Sequence, residues 1–356
     1  MKSIFIVPLI LFAWPANSDI PRTADGRPDL SGTYDIATLT PLERPEAYGD
    51  NLFLAPEEAQ KLVAETRAFI AEDAQQSDPN REAPPAGGDG STGAAGNVGG
   101  YNAFWVDPGN DRFMIDGKFR TSIIFDPVNG RLPTLTPVGQ QRRAALFSLF
   151  GENTGTAWWL GREGPGPYDD PEMRPLGERC LLAFGSSSGP PMLPTLYNNL
   201  KRIVQTRDYV MILNEMVHDA RIIPLAGGHT PGIRQWMGDS VGHWEGDTLV
   251  VETKNFKTRS GLYFFGATKN LSVTERFTRT SQNELLYGFT VEDPAAWEAS
   301  WSGEYPWPAT DTRVYEYACH EGNYALGNIL RGARLLEADA TAAGGSQSSG
   351  LGVKEH

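Results

Sequence analysis

The second half of the chain alternates apolar and polar positions over short runs. Ile203–Val217, Ala220–Pro224, Val241–Phe256, Leu271–Arg279 and Glu284–Glu292 carry the two-residue period of strands that bury one face. Trp297–Ser302 and Arg313–Cys319 continue it. Turn residues interrupt the runs at Glu245-Gly246-Asp247 and Ser281-Gln282-Asn283. Short strands joined by tight turns pair antiparallel, so the pattern predicts a mainly β fold, an up-and-down barrel of the lipocalin-like kind. Upstream, Pro56 followed by Glu57 and Glu58, with Leu62, Val63, Phe69 and Ile70 at helical spacing, predicts a helix over 55–74. Residues 137–150 predict a short helix, and Tyr324, Leu326, Ile329, Leu330, Ala333 and Leu336 a C-terminal one over 322–337. Tyr101–Val106 and Arg120–Phe125 read as strands, the second ending in a turn at Asp126-Pro127-Val128-Asn129-Gly130. Residues 75–100 and 339–356 show no period and read as a flexible loop and a disordered tail.

Composition narrows this picture. The 356 residues include 39 glycines and 26 prolines, which favours many turns. The net charge of −13 argues against nucleic acid and anionic membrane surfaces, whose phosphates need a basic face. Lys2, the apolar run Ile4–Trp14 and the small-x-small triplet Ala16-Asn17-Ser18 predict a cleaved export leader over 1–18. The mature chain is then periplasmic or secreted and off the membrane, with one β domain over 19–338. In an oxidising compartment Cys180 and Cys319, the only cysteines, are expected to form a disulfide.

Four stretches carry a resemblance. They are Arg22–Gly32, Gly238-Asp239-Ser240 with His243–Val251, Val291-Glu292-Asp293-Pro294, and Tyr317–Tyr324. On them the chain resembles a family of secreted bacterial proteins of unknown function, which implies export but no particular reaction. Gly32-Thr33-Tyr34 also resembles the Gly-x-Trp opening strand of lipocalin-like barrels, with Tyr in place of Trp.

Nucleotide fingerprints and the HExxH motif are absent from the sequence, and Gly185-Ser186-Ser187-Ser188-Gly189 is not followed by the helix pattern of a nucleophile elbow; no cofactor is expected. Two histidines have an adjacent carboxylate, His218-Asp219 and His320-Glu321, and both pairs fall where a run ends. Val210, Ile212, Asn214, Met216 and His218 share one face of one strand; Val314, Glu316, Ala318 and His320 share one face of another. If both faces point inward, the imidazoles meet in one cavity. One would then act as general base and the other as general acid, with Asp219 and Glu321 orienting them and Arg221 holding developing negative charge. The expectation is a cofactor-independent lyase, isomerase or hydrolase for a phenolic, terpenoid or carbohydrate-derived molecule. Tyr101, Asn102, Trp105, Arg120 and Tyr324 would contact the substrate. The alternative is a non-catalytic binding protein of the same architecture. In the plain structural reading His218 is a turn residue and His320-Glu321 starts the C-terminal helix. A metal site from His218, Asp219, His229, His243, His320 and Glu321 lacks the spacing of a dedicated motif, and none is assigned. Glu215, Arg221, Glu252, Glu275 and Arg276 interrupt apolar runs; if buried they must be paired, Glu275 with an arginine for instance.

Overall fold

The fold is described from a computed structural model covering residues 20–73, 80, 106–149, 151, 154–183, 187, 189–259 and 261–348. Residues 1–18, nearly all of 75–100, the strand start 101–105 and the tail beyond 348 lie outside the described residues. The described residues contain thirteen strands: β1 (Gly32–Asp35), β2 (Phe53–Leu54), β3 (Met114–Ile115), β4 (Lys118–Arg120), β5 (Ile124–Asp126), β6 (Leu200–Gln205), β7 (Tyr209–Asn214), β8 (Ala220–Pro224), β9 (Asp239–Glu245), β10 (Thr248–Lys254), β11 (Ser272–Ser281), β12 (Glu284–Glu292) and β13 (Trp301–Pro308). The helices are α1 (Pro56–Asp73), α2 (Pro137–Phe147) and α3 (Ala325–Ser348). Among the described residues no helix is long and apolar enough to cross a membrane.

All pairings within the sheets are antiparallel, as the tight turns require. The strands form three sheets rather than one closed barrel. A four-stranded sheet runs β1-β6-β7-β8, a six-stranded one β5-β13-β12-β11-β10-β9, and a small one β2-β4-β3. The first two enclose the main core. Between β1 and β13 there is an isolated bridge, Tyr34 to Ala309, and a hydrogen bond from Thr310 N to Thr33 O. Among the described residues no backbone ladder joins β8 to β9.

Alternation is cleanest on β12, where Leu285, Tyr287, Phe289 and Val291 are buried. Facing them across the ladder on β13 are Trp307, Tyr305, Gly303 and Trp301. Gly303 is a packing necessity, since a Cβ there would lie 2.4 Å from Phe289 Cζ. Tyr287 stacks on Trp307 at 4.6 Å, and the interior is filled by side chains.

Several boundaries shift. Ile203–Val217 is two strands, turning where Thr206 N bonds Tyr209 O. Val241–Phe256 is the β9–β10 hairpin. The run at Trp297 begins at Trp301 and continues to Pro308, because Ala296 and Trp297 first fold back on the Asp293 carbonyl. Arg313–Cys319 is not a strand. It has no ladder and is held instead by Tyr315 N to Glu215 and by the Cys180–Cys319 disulfide, whose Cα atoms are 5.8 Å apart. The C-terminal helix is longer than expected: its alanine-rich continuation to Ser348 takes in part of the expected tail, consistent with the high helix propensity of alanine.

Candidate functional site

The place where chemistry-bearing side chains converge is the seam between β8 and β9, the facing edges of the two large sheets. On β8 every second residue points inward, which buries Arg221 and Ile223 and exposes Ala220 and Ile222. Arg221 crosses the seam to Glu275 on β11. Nη1 donates to Oε1 at 3.0 Å and Nη2 to Oε2 at 2.5 Å. The two side chains are 2% and 0% exposed. Nη2 also donates to Ser240 Oγ on β9 at 3.1 Å and to Thr253 Oγ1 on β10 at 3.3 Å. The Tyr287 hydroxyl donates to Glu275 Oε1 at 2.8 Å and accepts from Met192 N at 2.9 Å. Burial alone would lower the Arg221 pKa, but the charge and hydrogen bonds of Glu275 prevail and raise it. Burial, reinforced by Glu275, pushes the Tyr287 hydroxyl well above its ordinary value, so it stays a neutral donor.

The seam is shut at one end and open at the other. It is shut at Gly242, where a Cβ would stand 3.0 Å from both Ile223 Cγ2 and Leu225 Cδ2. Towards Asp219 and Ser240 it opens into a cleft of about 450 Å³. One wall is Asp219 to Ile222; the other is Arg234 to Ser240, with Lys257. The second wall is pinned by a parallel bridge, with Gln235 N bonding Asn255 O and Lys257 N bonding Gln235 O. Gly238 makes the close approach possible: its φ is +72°, and a Cβ would lie 2.6 Å from Thr253 Cγ2. This pairing sets the Lys257 ammonium 4.4 Å from the centre of the Trp236 ring, a cation–π contact. Arg234 Nη1 donates to Phe256 O and Lys269 O at 3.0 and 2.9 Å. Asp239 accepts from Thr230 N and stands 3.6 Å from His229 Nδ1.

Behind Asp219 lies Lys201, on the inward face of β6 and fully buried. Its Nζ donates to Ser187 O at 2.7 Å. Burial pushes the amine down to about 7, against the opposing charges of Glu215, Asp219 and Asp35.

Among the described residues, His218 and His320 stand at the surface and do not face inward together. The shared face of β7 holds through the buried Met216, but Val217 and His218 take left-handed φ values of 58° and 45°. That turn throws His218 to the surface, its Nδ1 3.3 Å from Tyr317 O. His320 and Glu321 are exposed in the irregular stretch before α3, and Tyr324 is 78% exposed. The acid–base pairing of His218 with His320 therefore loses its premise, since the second strand does not exist. Arg120 is buried, pairs with Glu304 and lies over the Phe53 ring, so it holds β4 to β13. Tyr101, Asn102 and Trp105 lie outside the described residues. Of the expected set, Asp219 and Arg221 line the seam cleft among the described residues. Among the described residues no cluster of three His, Cys, Asp or Glu could hold a metal ion.

Sequence reading missed Lys201, Arg234, Trp236 and Lys257. Lys201 carries a signal, because it shares strand parity with the buried Ile203. Trp236 and Lys257 carry none, since a bridge between distant residues joins them. Compared with known proteins, the chain matches no family model and no curated protein.

Proposed function

We propose that the chain is a binding protein for a small aromatic acid, held at the open end of the β8–β9 seam. The observation that carries this reading is the cation–π pair of Lys257 and Trp236, beside Arg234, in a cleft of an otherwise acidic chain. A carboxylate would settle near the two cations, the ring against Trp236, and a phenolic hydroxyl would donate to Asp219. The cleft volume lies within the usual range of small-molecule sites, roughly 300–1,000 Å³. The catalytic alternative loses support because Arg221 is committed to Glu275 and the two histidines are surface residues.

The same reading treats the two large sheets as an incomplete, lipocalin-like barrel with its ligand at a seam instead of in the cup. The Tyr34–Ala309 bridge and the packing of Gly242 on Ile223 support it. It also places the chain outside the cytosol, in the secreted family its motifs resemble, supported by the leader-like 1–18 and the disulfide.

The test is calorimetric titration with 4-hydroxybenzoate and with its neutral analogue 4-hydroxybenzyl alcohol. The acid should bind at least about tenfold more tightly, a difference of ~1.4 kcal/mol, and Lys257→Gln should erase that preference. Equal affinity for acid and alcohol would defeat the reading. Mass spectrometry after long incubation should recover the acid unchanged; a product would restore the enzymatic alternative.

A further inference from the structure

A second cleft lies between α3 and a short helical turn at Trp158–Gly161. It sits over a small satellite core of Ala157, Trp159 and Ala333, with Trp158, Tyr168 and Leu336 packed against it. Trp159 is fixed from two sides. Its Nε1–H donates to Glu337 Oε1 at 2.7 Å, and its ring meets Tyr168 edge-on at 4.5 Å. Trp158 stands perpendicular to Trp159 at 5.8 Å. Gly151 lets the Trp158 ring lie against bare backbone, because a Cβ there would come within 2.5 Å of it.

The cleft, of about 340 Å³, is lined by the half-buried rings of Trp158 and Tyr168, the hydroxyls of Thr154 and Thr156, and the amide of Asn328. Among its described lining residues none carries an ionised side chain. Its floor includes Gly332, in the body of α3. Glycine there weakens a helix relative to alanine. Nothing stands within 4 Å of where its Cβ would be, and its φ is not one that favours glycine. Packing and backbone conformation both leave room for a methyl group, and the open space it would enter belongs to the cleft.

We infer that this cleft binds a neutral sugar ring, the unit of a mono- or disaccharide. Aromatic faces take the apolar C–H face of a pyranose, and uncharged hydroxyls and amides take its hydroxyl rim. A charged ligand would find no counter-charge among the described lining residues. The site is separate from the seam cleft and shares none of its residues.

The experiment is a titration of the full chain, followed by saturation-transfer NMR and calorimetry. The probes are glucose, galactose, mannose, xylose, N-acetylglucosamine and cellobiose, with phenol as the aromatic control. At least one sugar should bind saturably at millimolar concentration. Asn328→Ala should weaken it, and Gly332→Ala should weaken it roughly tenfold while raising the thermal midpoint, because alanine improves the helix as it fills the floor. Binding that survives Gly332→Ala unchanged would overturn the assignment. So would a panel in which phenol binds and no sugar does, or in which nothing binds. Because Gly332→Ala stabilises the helix, loss of binding in it cannot be ascribed to unfolding. Lys257→Gln should leave sugar binding untouched, which separates this test from that of the seam cleft.

Discussion

Replacing Arg221 by Met isolates the clasp between the two large sheets. The variant keeps most of the side-chain volume and removes the charge. Glu275 is then left fully buried with the Tyr287 hydroxyl as its remaining hydrogen-bond donor. Two charge-assisted hydrogen bonds to Glu275 disappear, each of ~1.5–3 kcal/mol, so their sum is on the order of 3–6 kcal/mol. Breaking a buried pair from one side costs about 3–5 kcal/mol in general, and the two figures agree. Ser240 and Thr253 lose a donor but keep their own hydrogen bond at 2.8 Å, which adds little. Urea denaturation followed by circular dichroism should therefore show a loss of about 3–5 kcal/mol for Arg221→Met. Removing both charges, in Arg221→Met with Glu275→Leu, should bring stability back to within ~1 kcal/mol of the parent, or above it. A single-variant loss below ~1 kcal/mol would refute the clasp.

Three more outcomes follow from the same geometry. Lys201 has a folded pKa of about 7 against an unfolded 10.5, so the unfolded chain binds the extra proton between them. Stability should rise with pH across that window by up to about 1.4 kcal/mol per unit relative to Lys201→Met; parallel profiles of parent and variant would show that the amine does not titrate there. Tyr287→Phe removes the acceptor of Met192 N and a donor to Glu275, and should cost ~1–3 kcal/mol with faster amide exchange at Met192. Serine at both Cys180 and Cys319 opens a link across 139 positions, for which chain entropy gives a ceiling of about 5 kcal/mol; a denaturation midpoint equal to the parent's would remove the disulfide from the stability account.

What was legible in the sequence was local. The period of two on β11 and β12 gave their buried faces, because a ladder between successive strands needs only a short turn. Pro56 and the acidic first turn marked the start of α1. The two pairings that span long stretches, β1 on β6 and β5 on β13, had no counterpart in periodicity, since glycine- and proline-rich connections decide them. Arg313–Cys319 alternates like a strand, yet alternation records which side chains suit a buried face, not whether a neighbour is there. His218 was misplaced for a different reason. Two consecutive left-handed residues end the alternation one step before it, and neither is glycine, so no residue type announced the turn. Arg221 and Glu275 were readable as interruptions of apolar runs that had to be paired. Their partnership across two sheets was not, because it joins residues 54 positions apart.

The Cys180–Cys319 bond also divides the molecule topologically. It makes a covalent ring, and β6 to β13 all lie within it. β1 and β5 lie outside and attach only as outermost strands, one to each large sheet. A single cut at an exposed peptide bond between Gly161 and Gly164 would therefore sever the amino-terminal segment from the ring without opening it. That segment would remain bound through β-strand pairing and the side chains Leu30, Tyr34, Ile36 and Ile124, which it inserts into the core. The two pieces would form a noncovalent complex that can be taken apart and reassembled while the ring keeps its own connectivity.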